Sequence, residues 1–219
     1  MPGHVVCVQA ASDQTTVELK LSQGTRRYDY AYQVLDLVNQ ERAKKNLSPV
    51  TMDKNLLECA MTRAEELTVY ASHNRPNGSS CFSAFPYFAD PSENLAINQS
   101  TPEEVMETWV KSSGHYANII NSSNVSAGIG CYSQNGHLYW IQCFTSHKAE
   151  TCTQPANQNV SPVISALPDL VDLHFDASSP VLKFHDRTLA EGKDYAISFS
   201  NNQNSGLGSF TITGLGFYS

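Results

Sequence analysis

The sequence predicts an α+β protein in which a small sheet packs between helices, followed by a module of short strands. Three observations predict it. Three segments carry apolar residues at helical spacing, and a single hairpin brackets Asn135-Gly136. Beyond residue 160 short apolar runs are punctuated by Asp, Gly and Ser. At 219 residues the chain is long for one domain and short for two.

In chain order, MPGHVVCVQAAS reads as the tail of an export signal: Val5, Val6 and Val8 make a short apolar run, and Val8-Gln9-Ala10 resembles a small-residue cleavage site. Thr16 to Leu21 alternate weakly, so residues 1–27 are expected to be a leader or an edge strand. A first helix is predicted from Tyr28 to Lys45, with Ala31, Val34, Leu35 and Val38 on one side, and Leu47-Ser48-Pro49 breaks it. Asp53 caps a second helix, whose stripe is Leu56, Leu57, Ala60, Met61, Ala64 and Leu67 and which ends near Ala71. The following loop, SHNRPNGSSCFSAFPYFAD, holds Phe82, Phe85, Tyr87 and Phe88. A flexible polar linker would not carry four aromatics, so this loop is expected to pack on the body.

The third helix is the best specified. Thr101 is its N-cap, Pro102 takes the first helical position and Glu104 the capping-box position. Val105, Met106, Trp109 and Val110 form its stripe, and Glu107 with Lys111 makes an i,i+4 pair outside. Ser113-Gly114 is expected to stop it and to deliver His115 just past its end. GIGCYSQ and HLYWIQCF are then the two arms of the hairpin. Residues 151–162 read as a linker and 163–219 as a β-rich module. The chain stops just after a strand, as a piece cut from a longer protein would.

Composition narrows the function classes. Charged residues are 16%, against a typical ~25%, and hydrophobic residues 41%, with solubility left to neutral polar groups, as in extracellular proteins. The net charge of -7 argues against nucleic acid, whose binding needs clustered Lys and Arg. No window of about 18 apolar residues exists, so no transmembrane segment is predicted. The six cysteines contain no CxxC. If Cys7 leaves with a signal, five remain and one is unpaired. A Cys143–Cys152 disulfide, a short loop tying a strand end to the following segment, is then the expected pair; Cys131–Cys143 is disfavoured because an Asn135-Gly136 turn sets Cys131 opposite Trp140 and turns Cys143 to the other sheet face.

For chemistry, the central expectation is that His73, Glu93 and His115 meet in one cleft although distant in sequence. Two imidazoles and a carboxylate suit zinc or another divalent cation, with a fourth position open to water. The bland alternative is that all three are satisfied by neighbours and serve structure. Ser72, Ser112 and Ser113 lie near a His, but no GxSxG supports a hydrolase triad. Cys81 beside His73 would more simply be an inert thiol. No residue is assigned a catalytic role.

Four motifs, SHNRPNG (72–78), ENLA (93–96), TPEEVMETWVKSSGHYANI (101–119) and GIGCY…YWIQCF (128–144), together resemble the CAP or SCP superfamily. This is the fold of cysteine-rich secretory proteins, insect antigen 5 and plant pathogenesis-related 1 proteins, here in a compact bacterial form. The resemblance covers about residues 30 to 146. It implies a three-layer α-β-α sandwich over residues 28–150, secretion, and a cleft of two His and acidic partners. The cleft positions fall on His73, Glu93 and His115. Many eukaryotic members carry a second Glu where this chain has Ser112, so the usual tetrad is one carboxylate short. Residues 160 to 219, with GKDYAISFSNNQNSGLGSFTITGLG, resemble β modules of Gram-positive surface proteins.

The resemblance implies a secreted or cell-surface-associated protein that binds a ligand in its cleft, of lipid, sterol-like or cell-wall character, and favours a binder over an enzyme. The alternatives are a metal-dependent extracellular hydrolase and a surface spacer or adhesion protein with a vestigial cleft. Ligand identity and oligomeric state are left open.

Overall fold

A computed structural model of the protein describes residues 16–167 throughout and, outside them, strand backbones at 5–8, 173–176, 179–184, 187–188, 195–200 and 209–214. The chain divides into two compact units, one of residues 24–74 and 80–160, the other of 1–23, 75–79 and 161–219.

The first unit is a three-layer α-β-α sandwich. Its elements are β3 (Gly24–Arg26), α1 (Tyr28–Ala43), β4 (Thr51–Met52), α2 (Lys54–Glu66), a 3-10 turn (Cys81–Ala84) and β5 (Ser92–Ile97). They continue with α3 (Pro102–Lys111), α4 (Ser113–Ile119), β6 (Ser126–Gln134), β7 (His137–Thr145) and β8 (Gln158–Val160). The sheet order is β5-β7-β6-β3-β8, with β4 added parallel to β6. β8 comes from the stretch that composition reads as linker; it pairs with β3.

The hairpin β6–β7 organises this sheet. Asn135 and Gly136 take φ of 52° and 82°, the left-handed pair that a tight two-residue turn requires. That turn fixes the register Cys131↔Trp140 and Gly128↔Cys143. Alternation then sends Ala127, Ile129, Cys131, Trp140 and Phe144 to a core shared with α1, α3 and α4. Tyr132, Ile141 and Cys143 go to a second core, under α2 with Leu56, Ala60 and Ala64. Helix α2 lies almost on the sheet backbone: a Cβ on Gly128 would sit 2.0 Å from the Leu56 carbonyl oxygen, and one on Gly130 2.1 Å from that of Ala60. Only glycine permits that approach.

The caps fall where the sequence puts them. The Asp53 carboxylate accepts from the Leu56 N–H at 2.8 Å, and Thr101 Oγ1 accepts from the Glu104 N–H at 3.2 Å. Glu104 reaches back to the Ser100 N–H at 2.8 Å, one residue before the N-cap. Helix α2 ends at Glu66, short of the expected Ala71. The largest departure is at Ser113-Gly114. Ser112 is extended (φ -94°, ψ 117°) and ends α3, but the chain re-enters a helix at once. His115 therefore belongs to the first turn of α4 rather than to a loop after α3. Gly114 lies inside α4 without a positive φ, so it does not act as a left-handed stop.

The aromatic loop divides. Phe85 is buried and meets Phe82 edge-on at 5.4 Å between centroids, whereas Phe88 is 75% exposed. Tyr87 stacks on His147 at 3.7 Å.

The expected Cys143–Cys152 disulfide does not form. Cys143 is buried with Cys59 in the core on the α2 side of the sheet, while the Cys152 sulfur lies 3.3 Å from the Tyr32 hydroxyl on α1. The helix layers and sheet separate the two cysteines, and both are free thiols.

In the second unit, β1 (Val5–Val8) and β2 (Val17–Lys20) join β9 (Val163–Ala166), β13 (Tyr195–Ser200) and β14 (Ser209–Gly214) in a sheet of order β13-β14-β1-β2-β9. The strands β10 (Leu173–Asp176), β11 (Ser179–Phe184) and β12 (Arg187–Thr188) form a second, antiparallel sheet. Cys7 and the signal-like residues around it, apart from the backbone of β1, lie outside the described residues, as does the Asn201–Gly208 turn.

Candidate functional site

Strand β5 is the terminal strand of the sandwich sheet, and the candidate site is built around its first half. Glu93 pairs across to Cys143 and faces α2; the next residue, Asn94, pairs to Gln142 and faces the other layer. One strand thus feeds both sides.

On the α2 side the Glu93 side chain is 1% exposed, and both carboxylate oxygens are engaged. Arg63 Nε donates to Oε2 at 2.9 Å and its Nη2 to Oε1 at 3.2 Å. Arg63 is fully buried, and also donates to Glu66 at 2.6 Å and to the Ser72 carbonyl at 2.8 Å. His73 Nδ1 lies 3.0 Å from Glu93 Oε1. Burial alone would raise the Glu93 pKa, but the hydrogen bonds and charges of His73 and Arg63 outweigh it and hold the carboxyl below its ordinary range. Glu93 is therefore an anion, and an anion only accepts, so His73 Nδ1 carries the proton of that bond. The rest of the His73 ring faces water, its side chain 57% exposed.

Cys81, at the start of the 3-10 turn, is the residue that the sequence reading set aside as an inert thiol. A ligand atom from each of His73, Cys81 and Glu93 can be chosen so that all lie within 4.8 Å of one another. Burial first, and then the Glu93 charge, push the Cys81 thiol up to about 11, with Arg63 opposing. His115 is not part of this group. Its Nδ1 is buried without a hydrogen-bond partner, and its pKa is lowered, first by burial and then by repulsion from His73. The structure thus brings His73 onto Glu93 as expected and sets His115 within electrostatic range of His73, but Cys81 rather than His115 completes the close cluster.

Sequence reasoning also passed over Arg63, which interrupts the α2 stripe between Ala60, Ala64 and Leu67. A charged residue three after Ala60 and four before Leu67 must point inward, and that was the available signal. Arg63 needs a buried acid, and Glu66 and Glu93 supply it.

His115 is held through its backbone. Asn94 Nδ2 donates to the His115 carbonyl at 3.0 Å and to Gln142 Oε1 at 2.9 Å, and Asn118 Nδ2 donates to Asn94 Oδ1 at 2.8 Å. Trp109 is core, fully buried, its Nε1 donating to the Leu95 carbonyl at 3.2 Å. Ser72 Oγ accepts from the Asn74 N–H at 3.0 Å, a turn bond.

Three helices on one face and one on the other of a mixed sheet, with a His–Glu contact at the rim of its terminal strand, define a CAP-type sandwich. The family model of the CAP, or cysteine-rich secretory protein, family matches residues 35–144, half of the chain, and the chain belongs to that family. The YkwD protein of Bacillus subtilis is 34% identical over 121 residues, which are 52% of this chain and 46% of that protein. The membrane protein YlbC of the same organism is 29% identical over 148 residues, 63% of this chain and 41% of that one. The chain thus spans less than half the length of these curated relatives. Among solved structures, an extracellular SCP-domain protein of Bacillus anthracis is similar at 23% identity and TM-score 0.49, over 53% of this chain and 40% of that chain. An outer surface protein of Borrelia burgdorferi is similar at 19% identity and TM-score 0.49, over 56% and 94%. Among the described residues, no helix is long and apolar enough to cross a membrane.

Proposed function

We propose that the protein is a secreted or cell-surface CAP-domain binder whose His73–Glu93–His115 rim holds a polar group of a ligand or surface component, without turning it over. One observation carries this reading: Glu93 is locked by Arg63 on both oxygens. A general base needs a free carboxylate with a pKa near the working pH, and Glu93 has neither property. What the rim offers instead is a fixed anion that orients the exposed His73 ring, and a buried His115 Nδ1 still lacking a partner. Two imidazoles presented in this way suit a ligand that both gives and accepts hydrogen bonds. An apolar part of such a ligand is in keeping with a lipid, sterol-like or wall-derived molecule.

The experiment is ligand capture. The protein is incubated with total lipid extract or with soluble peptidoglycan fragments, re-isolated, and its cargo quantified by mass spectrometry. The reading expects a molecule retained by the wild type and lost from a His73→Ala/His115→Ala variant of unchanged Tm. Equal recovery from both proteins, or chemical conversion of the captured molecule, would refute it.

The cluster favours a second reading, a divalent cation site. The donor set fits zinc by ligand type and span. His73, Cys81 and Glu93 would hold the ion, which would act as a Lewis acid toward a ligand oxygen. Such binding requires Cys81 to lose its proton and Glu93 to share its charge with Arg63. An extracellular hydrolase would need this centre; the binder does not.

A further inference from the structure

Two thiols outside the rim chemistry lie together beneath it. Helix α2 rests on β6 so closely that the Leu56 and Ala60 carbonyls would meet side chains at Gly128 and Gly130. Cys59 stands between those two carbonyls in sequence, and Cys143 is the cross-strand partner of Gly128. Both cysteines belong to the same core under α2, Cys59 7% and Cys143 0% exposed. Arg63, one turn after Cys59 on the same face of α2, bonds Glu93, the cross-strand partner of Cys143, so α2 carries Cys59 toward Cys143; the Cys59 thiol adds to burial in raising that of Cys143. Neither Cys131, buried in the opposite core, nor Cys152, at the Tyr32 hydroxyl, shares this position.

We propose that Cys59 and Cys143 close a disulfide when the chain folds in an oxidising compartment, tying α2 to β7 directly behind Glu93. The position gives the bond a consequence. Cys143 faces Glu93 across the β5–β7 pair, and Cys59 is one turn before Arg63 on α2. The bond therefore clamps the helix that donates the guanidinium to the strand alongside the carboxylate that receives it. Two thiols form one S–S bond, and the two electrons and two protons pass to a disulfide oxidant. With glutathione disulfide, thiolate attack gives a mixed disulfide and one glutathione; the second cysteine then displaces the other. Both sulfurs are closed to solvent in the folded unit, so this exchange belongs to the folding chain, before α2 seats. The closed loop is about 85 residues, long enough for a large effect on the unfolded ensemble.

The test is refolding of the full chain in buffer poised with glutathione disulfide, against a parallel sample kept in reductant. Free thiols are alkylated, and linked peptides are mapped by mass spectrometry without reduction. The expected result is a Cys59–Cys143 peptide and a Tm higher than that of the reduced protein by about 10 °C. That difference should vanish in Cys59→Ala and Cys143→Ala and persist in Cys152→Ser. Mapping on the wild type stands if either alanine variant misfolds. Alkylation of both Cys59 and Cys143 after oxidative refolding, or linkage of either to another cysteine, would overturn the proposal.

Discussion

Replacing Arg63 by Met tests the physical basis of the site most directly. The guanidinium is fully buried and joins three acceptors: Glu93 at 2.9 and 3.2 Å, Glu66 at 2.6 Å and the Ser72 carbonyl at 2.8 Å. Methionine fills most of the volume but leaves Glu93 buried without its guanidinium, still in contact with His73. Removing one member of a buried ion pair typically costs about 3–5 kcal/mol. For a chain of this size each kcal/mol moves Tm by roughly 2–4 °C, so a fall of about 6–20 °C is expected at pH 7. The loss should depend on pH in a definite direction. Glu93 has a lowered pKa in the folded wild type, so its contribution is present above the ordinary value of 4.5 and is lost as pH falls through the folded value. In the variant Glu93 instead gains by taking a proton. The gap between the two proteins should therefore narrow from pH 7 to pH 4.5. Arg63→Lys keeps a charge but not the forked geometry and should fall between. Urea unfolding at several pH values measures all three proteins. A loss below about 1 kcal/mol at pH 7, or a gap that widens on acidification, would refute the argument that Glu93 is a locked anion.

Two further outcomes follow from the same geometry. His115 should titrate below the ordinary 6.5, so proton uptake lags that of the unfolded chain; this part of the stability is complete above pH 6.5 and is lost as pH falls through the folded value. Histidine NMR titration of wild type against His115→Gln assigns the resonance, and a midpoint at or above 6.5 contradicts the buried, unpartnered Nδ1. If the cluster holds zinc, calorimetry should show one site that disappears in Cys81→Ser, weakens toward pH 5 and survives in His115→Ala; the opposite pattern would restore the His73–Glu93–His115 set.

The sandwich was legible because its determinants are local. Asn135-Gly136 fixes a register, Asp53 and Thr101 fix two helix starts, and period-3.6 stripes give each helix one buried face. The His73–Glu93 contact was legible only through ordered motifs resembling a family, because nothing in the residues themselves brings positions 73 and 93 together. What escaped was set by three-dimensional neighbours. Gly114 reads as a stop, yet Ile119 and Tyr116 pack on the α1–α3 core and draw the chain into a further helical turn. A single break at Ser112 thus replaces the expected end. The Cys143–Cys152 expectation failed because nearness in sequence was weighed above the sheet alternation that had already turned Cys143 toward α2. That alternation, carried one step further, points to Cys59.

The two imidazoles are held by networks of different physics, and this bears on what the rim can do. His73 is fixed by charge, through Glu93 and the buried Arg63. His115 rides on α4, which is fixed by neutral amides and by a second buried arginine. Arg42 donates to the carbonyls of Ser48, Ile119, Asn121 and Asn124 at 2.9, 2.8, 2.8 and 3.3 Å. It thereby satisfies the C-terminal end of α4 and the turn beyond, where cations are favoured. Asn94 ties the other end through the His115 carbonyl. Acid that protonates Glu93 acts on the first network and leaves the second, which holds no carboxylate among these contacts, in place. A ligand bridging the two imidazoles would then meet one movable partner and one immovable one. Its affinity would change with pH as His115 and then Glu93 take up protons, while α4 keeps the rim in shape.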